Sequence, residues 1–184
     1  MNYENDNRVV LTLDAGGTNF VFVAMKGGKQ LGESVRLPSE SKDLDKSIAN
    51  MKEGFRRLIG QIGEKPAAIS FAFPGPADYP NGIIYNVGNL PAFAGGVALA
   101  DVLKDEFGVP VFINNDGDLF VYGEAIAGFL PYVNKKLEEA GSSKRYKKLF
   151  GVTLGTGFGG GLVADGELYI GDNSNATEVW LLQN

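Results

Sequence analysis

The chain has 184 residues, 22 acidic against 17 basic side chains, a formal net charge of −5, and neither cysteine nor histidine. This is a globular composition with room for one large or two small domains, and its acidic balance argues against a nucleic-acid partner. Disulfides, thiolate nucleophiles, a histidine base and Cys/His zinc sites are excluded, so acid–base work falls to Asp, Glu, Lys or Tyr, and any metal is a hard, oxygen-liganded ion such as magnesium.

The polar opening "MNYENDNRVV" lacks a signal-peptide pattern, and no apolar run approaches the roughly 20 residues needed to span a bilayer. A cytoplasmic protein with no membrane partner is expected. "RVVLTLDAGG" reads as a strand closed by a turn. "TNFVFVAMKGGK" resumes as a strand with a Gly-Gly hairpin signal, and "QLGESVRLP" alternates as a third strand. The opening is therefore an antiparallel meander. From Ser41 to Gly63 the period changes: Leu44, Ile48, Met51, Phe55, Leu58, Ile59 and Ile62 recur as on one helix face.

"PAAISFAFPG" is a buried strand ending at Pro74 and Gly75, and Asn81–Gly82 marks a turn before "IIYNV". A second helix fits "GGVALADVLKDEFG", with Gly108 as its stop. "VPVFINNDGD" is a strand running into an acidic, amide-rich loop, and "LFVYGEAIAG" continues as a helix. Residues 129–148 are the most polar and basic part, and read as a helical or loop excursion with a solvated charged face. Then come the strand "LFGVTL", the glycine-rich "GVTLGTGFGGG" and the returning "GGLVADGELYIG". Glycine at this density demands a tight hairpin, a close backbone crossing or a phosphate.

The most informative feature is a pairing. "LTLDAGGTNFVFVA" and "VTLGTGFGGGLVA" each run strand, Gly/Thr turn, returning strand. A turn with backbone N–H groups facing one way makes a concave anion site, and Thr adds a hydroxyl donor. Two such turns suit a polyphosphate. Asp14 directly follows the first strand, where a carboxylate holds magnesium directly or through water. Asp116 stands at another strand end, where a carboxylate can take a proton from a hydroxyl during phosphoryl transfer, or simply cap a helix. "NNDGD" lacks the ligand ladder of a calcium loop. The glycine turns lie between strands, unlike a Rossmann turn, and no Walker A pattern is present.

In this order, the motifs resemble the ROK family of sugar kinases, of the actin-like superfamily. "LDAGGTNFVFVA" looks like the family's first phosphate motif and "FAFPGPAD…NGII" like its Pro-Gly sugar-side loop. "NVGNLPAF" looks like its Asn-Leu-Pro-x-Trp segment, with Phe93 where Trp is usual. "INNDGDLFVYGEA" resembles the catalytic "ENDANAAALGE", and "GVTLGTGFGGGLVADGELYIGDN" the second phosphate motif. The resemblance implies an α/β, actin-like ATPase (ribonuclease H-like) fold: a mixed sheet with an N-terminal antiparallel meander flanked by helices. Residues 1–115 would form the first domain and 116–184 the start of an incomplete second.

It further implies Asp116 as general base on a hexose or hexose-derivative hydroxyl. Asn89, Asn115 and Glu178 would bind the sugar, with Pro74 and Gly75 shaping its loop. Gly16, Gly17, Thr18 and Asn19, with Gly155, Thr156 and Gly157, would surround the phosphates of ATP, and Asp14 would serve magnesium. Glu178 aligns with the Glu of the family's "AGEIGH" stretch, but Leu181 stands at its His position and the downstream Cys cluster is missing, so no zinc is expected. The chain is expected to be a fragment of a longer enzyme. The alternatives are a sugar-binding regulator, for which only about a dozen residues precede Asp14, too few for a DNA-binding module, and a truncated pseudokinase. A homodimer is a common outcome for soluble enzymes.

Overall fold

Val9, Leu11, Leu13 and Ala15 are buried while the residues between them are not, the two-residue period of a strand with one face in a core. The computed structural model describes residues 3–85, 87–155, 158–171, 176–177 and 179. In it this strand is β1 (Val9–Ala15), followed by β2 (Asn19–Lys26) and β3 (Lys29–Pro38). β1 pairs antiparallel with β2, and β2 with β3, so the expected meander forms. The chain divides into two compact units, Met1–Asn114 and Asn115–Asn184.

In the first unit, α1 (Leu44–Ile62) opens on Asp43, whose side chain accepts the Lys46 N–H, and stops at Gly63. Its Met51, Phe55 and Leu58 enter the core, with Leu44, Ile59 and Ile62 packed around them. β4 (Ala68–Ala72) follows. The short strands β5 (Ala77–Asp78), β6 (Ile83–Ile84) and β7 (Val97–Ala98) form a small antiparallel sheet around the Asn81–Gly82 turn. α2 (Leu99–Phe107) ends at Gly108 as expected, but it starts four residues later than the sequence suggests. Gly95 and Gly96 have φ of 110° and 89°, outside the helical region, and Val97–Ala98 is taken by the pairing with β6.

β8 (Val111–Asn114) completes a five-stranded sheet of order β3-β2-β1-β4-β8. β4 lies parallel to both β1 and β8, so the sheet is mixed. Phe20, Phe22, Phe55, Phe71, Phe73 and Phe93 form a run of ring contacts through the core, with centroids 5.0–6.3 Å apart. Phe93, where the family resemblance expects Trp, is fully buried against Phe73.

In the second unit, α3 (Asp116–Ile126) begins inside the stretch expected to be a loop. The turn-forming residues Asn115, Asp116 and Gly117 are a helix start rather than a loop, because Asn115 caps the helix. α4 (Phe129–Glu139) precedes the antiparallel strands β9 (Lys148–Leu154), β10 (Phe158–Ala164) and β11 (Glu167–Leu168), in the order β11-β10-β9. Val121 and Ala125 of α3, Leu130 of α4 and Val163 of β10 form this unit's core. Residues 140–148 are mostly exposed, as a solvated charged stretch should be. No described helix is long and apolar enough to cross a membrane.

Candidate active site

β1, β4 and β8 run parallel and end at the same edge of the sheet, since Asp14 is level with Ala72 and Ala72 with Asn114. The carboxyl ends of parallel strands are where open α/β sheets bind ligands, because loops there diverge and backbone groups are left unpaired. Asp14, Pro74 and Gly75 all come to this edge. Asp14 alternates with the core-facing Leu13 and Ala15, so its exposed carboxylate lies on the sheet face opposite α1, and no described residue donates to it.

The first glycine turn joins β1 to β2. It is closed by the Gly16 N–H donating to the Asn19 carbonyl at 3.1 Å, which leaves the Gly17 and Thr18 N–H groups for other use. Gly17 lies against Asn89: a Cβ there would stand 3.0 Å from the Asn89 carbonyl oxygen and 3.1 Å from its Cβ. Two motifs far apart in sequence are thus in contact, and the glycine is what allows it. Ser39, which the sequence reading did not single out, holds this turn. Its buried hydroxyl donates to the Gly17 carbonyl at 2.6 Å, and its N–H to the Thr18 carbonyl at 3.0 Å. Serine after a strand is too common to signal this. Ala92 N–H donates to the Ser41 carbonyl, tying the turn after Asn89 to the same segment. Beyond β4, the buried Tyr79 hydroxyl donates to the Phe73 carbonyl at 2.9 Å, beneath the Pro74–Gly75 loop.

In the second unit, the Asn115 Oδ1 accepts from the Gly117 N–H at 2.8 Å and the Asp118 N–H at 3.3 Å. This fixes the first turn of α3, on which Asp116 is carried. Asp116 is exposed, and among the described residues its carboxylate receives one hydrogen bond, from the Gly117 N–H at 2.9 Å to Oδ1. A carboxylate at a helix N-terminus is favoured by the positive end of the helix dipole.

The glycines of the second hairpin stand in two kinds of surroundings. A Cβ at Gly151 would stand 2.6 Å from Val121 Cγ2, one at Gly161 2.7 Å from Val121 Cβ, and one at Gly117 3.1 Å from the Gly160 backbone. α3 therefore lies directly on the backbone of β9 and β10, and these glycines make that crossing. Gly155, at the turn, has open space where a Cβ would be. Among the described glycines of the segment it is the one with no neighbour against that position. Thr156, Gly157 and Glu178 lie outside the described residues. Among the described residues no three acidic side chains gather to hold a metal.

A mixed sheet that opens with an antiparallel meander, with glycine turns and carboxylates at strand and helix ends, is the actin-like ATPase fold. The sequence model of the ROK family matches residues 10–180, and the chain belongs to this family. Over its full length it is 60% identical to the crystal structure of a glucokinase from Parabacteroides distasonis, with a TM-score of 0.90, covering 52% of that chain. It is 31% identical over 166 residues to an N-acetyl-D-glucosamine kinase of Vibrio cholerae, covering 90% of this chain and 50% of that protein. It is 30% identical over 177 residues to a glucokinase of Thermotoga maritima, covering 92% of this chain and 49% of the relative. The chain thus spans about half the length of the curated relatives it matches.

Proposed function

We propose that this chain carries the sugar and phosphate groups of an ATP-dependent sugar kinase, which transfers the γ-phosphoryl of ATP to a hydroxyl of a hexose or hexose derivative. The kinases among its relatives and the chemistry of its strand ends support this reading. The observation that carries it is Asp116: an exposed carboxylate on a capped helix start, held among the described residues through one oxygen. In the reaction this carboxylate accepts the hydroxyl proton as the new O–P bond forms and ADP departs with the electrons of the broken bond.

Asn89, Asn115 and Glu178 hydrogen-bond the sugar, beside the Pro74–Gly75 loop. The N–H groups of Gly17 and Thr18, the Thr18 hydroxyl, and the Gly155–Thr156–Gly157 turn receive phosphate oxygens, with Gly16 and Asn19 closing the first turn. Asp14 fits magnesium, which keeps several waters and takes one or two carboxylates in addition to phosphate. When bound, magnesium would neutralise charge on the phosphates. No zinc takes part. We place the protein in the cytoplasm, with sugar and nucleotide as its partners and neither nucleic acid nor membrane.

The test is ADP production by the protein at its full natural length, with glucose, N-acetylglucosamine and related hexoses, and mass detection of the sugar phosphate. Asp116→Asn should keep the circular dichroism of the wild type and lose about 10²–10⁴-fold in turnover. Normal turnover in that variant removes Asp116 from the role of base. Sugar binding without ADP production by the wild type favours a regulator or pseudokinase instead.

A further inference from the structure

We propose that Asp118 and Thr177 form a latch that fastens the chain segment around position 178 to the start of α3, making Asp118 a positioning residue for the sugar-binding role given to Glu178. The inference rests on the sugar-kinase reading above. Asp118 is 1% exposed, two residues beyond the exposed Asp116 on the same helical turn. Burying a carboxylate is costly unless strong hydrogen bonds hold it. The Thr177 hydroxyl donates to Asp118 Oδ1 at 2.9 Å, and its oxygen lies 3.1 Å from the Gly160 carbonyl. A hydroxyl has one proton, and a carboxylate is the stronger acceptor.

Three pieces of chain meet here. The Asp118 N–H is held by Asn115 Oδ1, which also fixes the turn carrying Asp116. On β10, a Cβ at Gly160 would lie 3.2 Å from both the Thr177 carbonyl oxygen and Val179 Cγ1, so the 177–179 segment rests on bare backbone. Val179 is buried, and its N–H donates to the Thr177 carbonyl at 2.8 Å. Thr177 and Val179, on either side of position 178, are therefore held on this unit, and the Thr177–Asp118 hydrogen bond ties them to the turn that carries Asp116. Both partners depart from the motif strings given above: Asp118 stands where "ENDANAAALGE" has Asn, and Thr177 where "AGEIGH" has Gly. A glycine there has no hydroxyl to give.

The experiment compares Thr177→Val and Asp118→Ala with the conservative Thr177→Ser and Asp118→Asn in the full-length protein, with circular dichroism confirming that each folds. Two readouts are taken. Trp180, the one tryptophan of the chain, reports the segment through its emission and its quenching by acrylamide. The sugar KM, against the ATP KM and kcat, reports its effect on the site. Thr177→Val should change the Trp180 emission and its quenching and raise the sugar KM at least about fivefold with the ATP KM unchanged. Thr177→Ser and Asp118→Asn, which keep a donor and an acceptor, should follow the wild type. Unchanged fluorescence and sugar KM in Thr177→Val overturn the latch, as does a lowered melting temperature with no change in either. If the wild type phosphorylates no sugar, the kinase reading fails, and the fluorescence series alone decides the latch.

Discussion

Gly151 shows how much one missing methyl group can decide. A Cβ at this position would run into Val121 Cγ2 at 2.6 Å, and next into Val121 Cγ1 at 3.3 Å. Neither the strand nor the helix can retreat without disturbing the core of Val121, Ala125, Leu130 and Val163. Gly151→Ala should therefore destabilise by about 1–3 kcal/mol, the range for overpacking. The obstructing atoms are both γ-methyls, so the same substitution in a Val121→Ala background should cost less by about 1 kcal/mol or more, seen as a coupling term in a urea double-mutant cycle. Purely additive effects would mean that the glycine is kept for backbone conformation instead. Gly161 differs: its nearest obstruction is Val121 Cβ at 2.7 Å, which Val121→Ala retains.

Among the elements, α1 and α2 are joined by a small charge cluster. Glu106 of α2 accepts from Arg56 and Lys52 of α1, with Lys52 Nζ 3.1 Å from Oε2. These hydrogen bonds, Arg56 first and then Lys52, hold the Glu106 carboxyl below the usual carboxylate range. A folded-state value below the unfolded one stabilises the fold above the unfolded value, about 4.3 for Glu, and the gain disappears as pH falls through the lower folded value. Thermal melts of Glu106→Gln should thus lie slightly below wild type at pH 7 and converge with it as the pH drops below about 4.3. A gap that persists at low pH would assign the effect to packing.

What the sequence made legible follows from which elements carry their own signals. The meander and α1 were readable because alternation and a three-to-four residue step each mark a buried face, and Gly63 and Gly108 end their helices as glycines do. The start of α2 was misplaced because Gly95 and Gly96 interrupt a composition that otherwise suits a helix. The start of α3 admits both a loop and a helix cap in the sequence, because Asn, Asp and Gly favour turns and caps alike and local sequence does not separate the two. Candidate residues at strand ends stand out in the sequence through glycine and acid together. Ser39, Asp118 and Thr177 were not, since their roles depend on pairings across 22 and 59 residues that no local pattern encodes.

At the scale of the molecule, the apolar surface of the second unit is its most consequential property. Phe150, Val152 and Leu154 alternate along β9 on the face away from α3, exposed by 57%, 43% and 85%, with Phe158 beside Leu154 on β10. β9 is also the edge of its sheet. A flat apolar edge strand invites association with another chain. The chain on its own should scatter light increasingly with concentration, and Val152→Lys with Leu154→Lys should reduce that. A wild-type chain that elutes as a monomer across the concentration range, with its mass checked by light scattering, would contradict this.

The strand order of the first unit bears on how the protein is made. As the chain leaves the ribosome, β2 adds to one side of β1 and β3 to β2, then β4 adds to the other side of β1 and β8 to β4. Every strand arrives at an edge that is still open, and none must be wedged between two that have already zipped together. Synthesis can therefore lay down this sheet from the centre outward, with the local hairpins first and the distant parallel partners last.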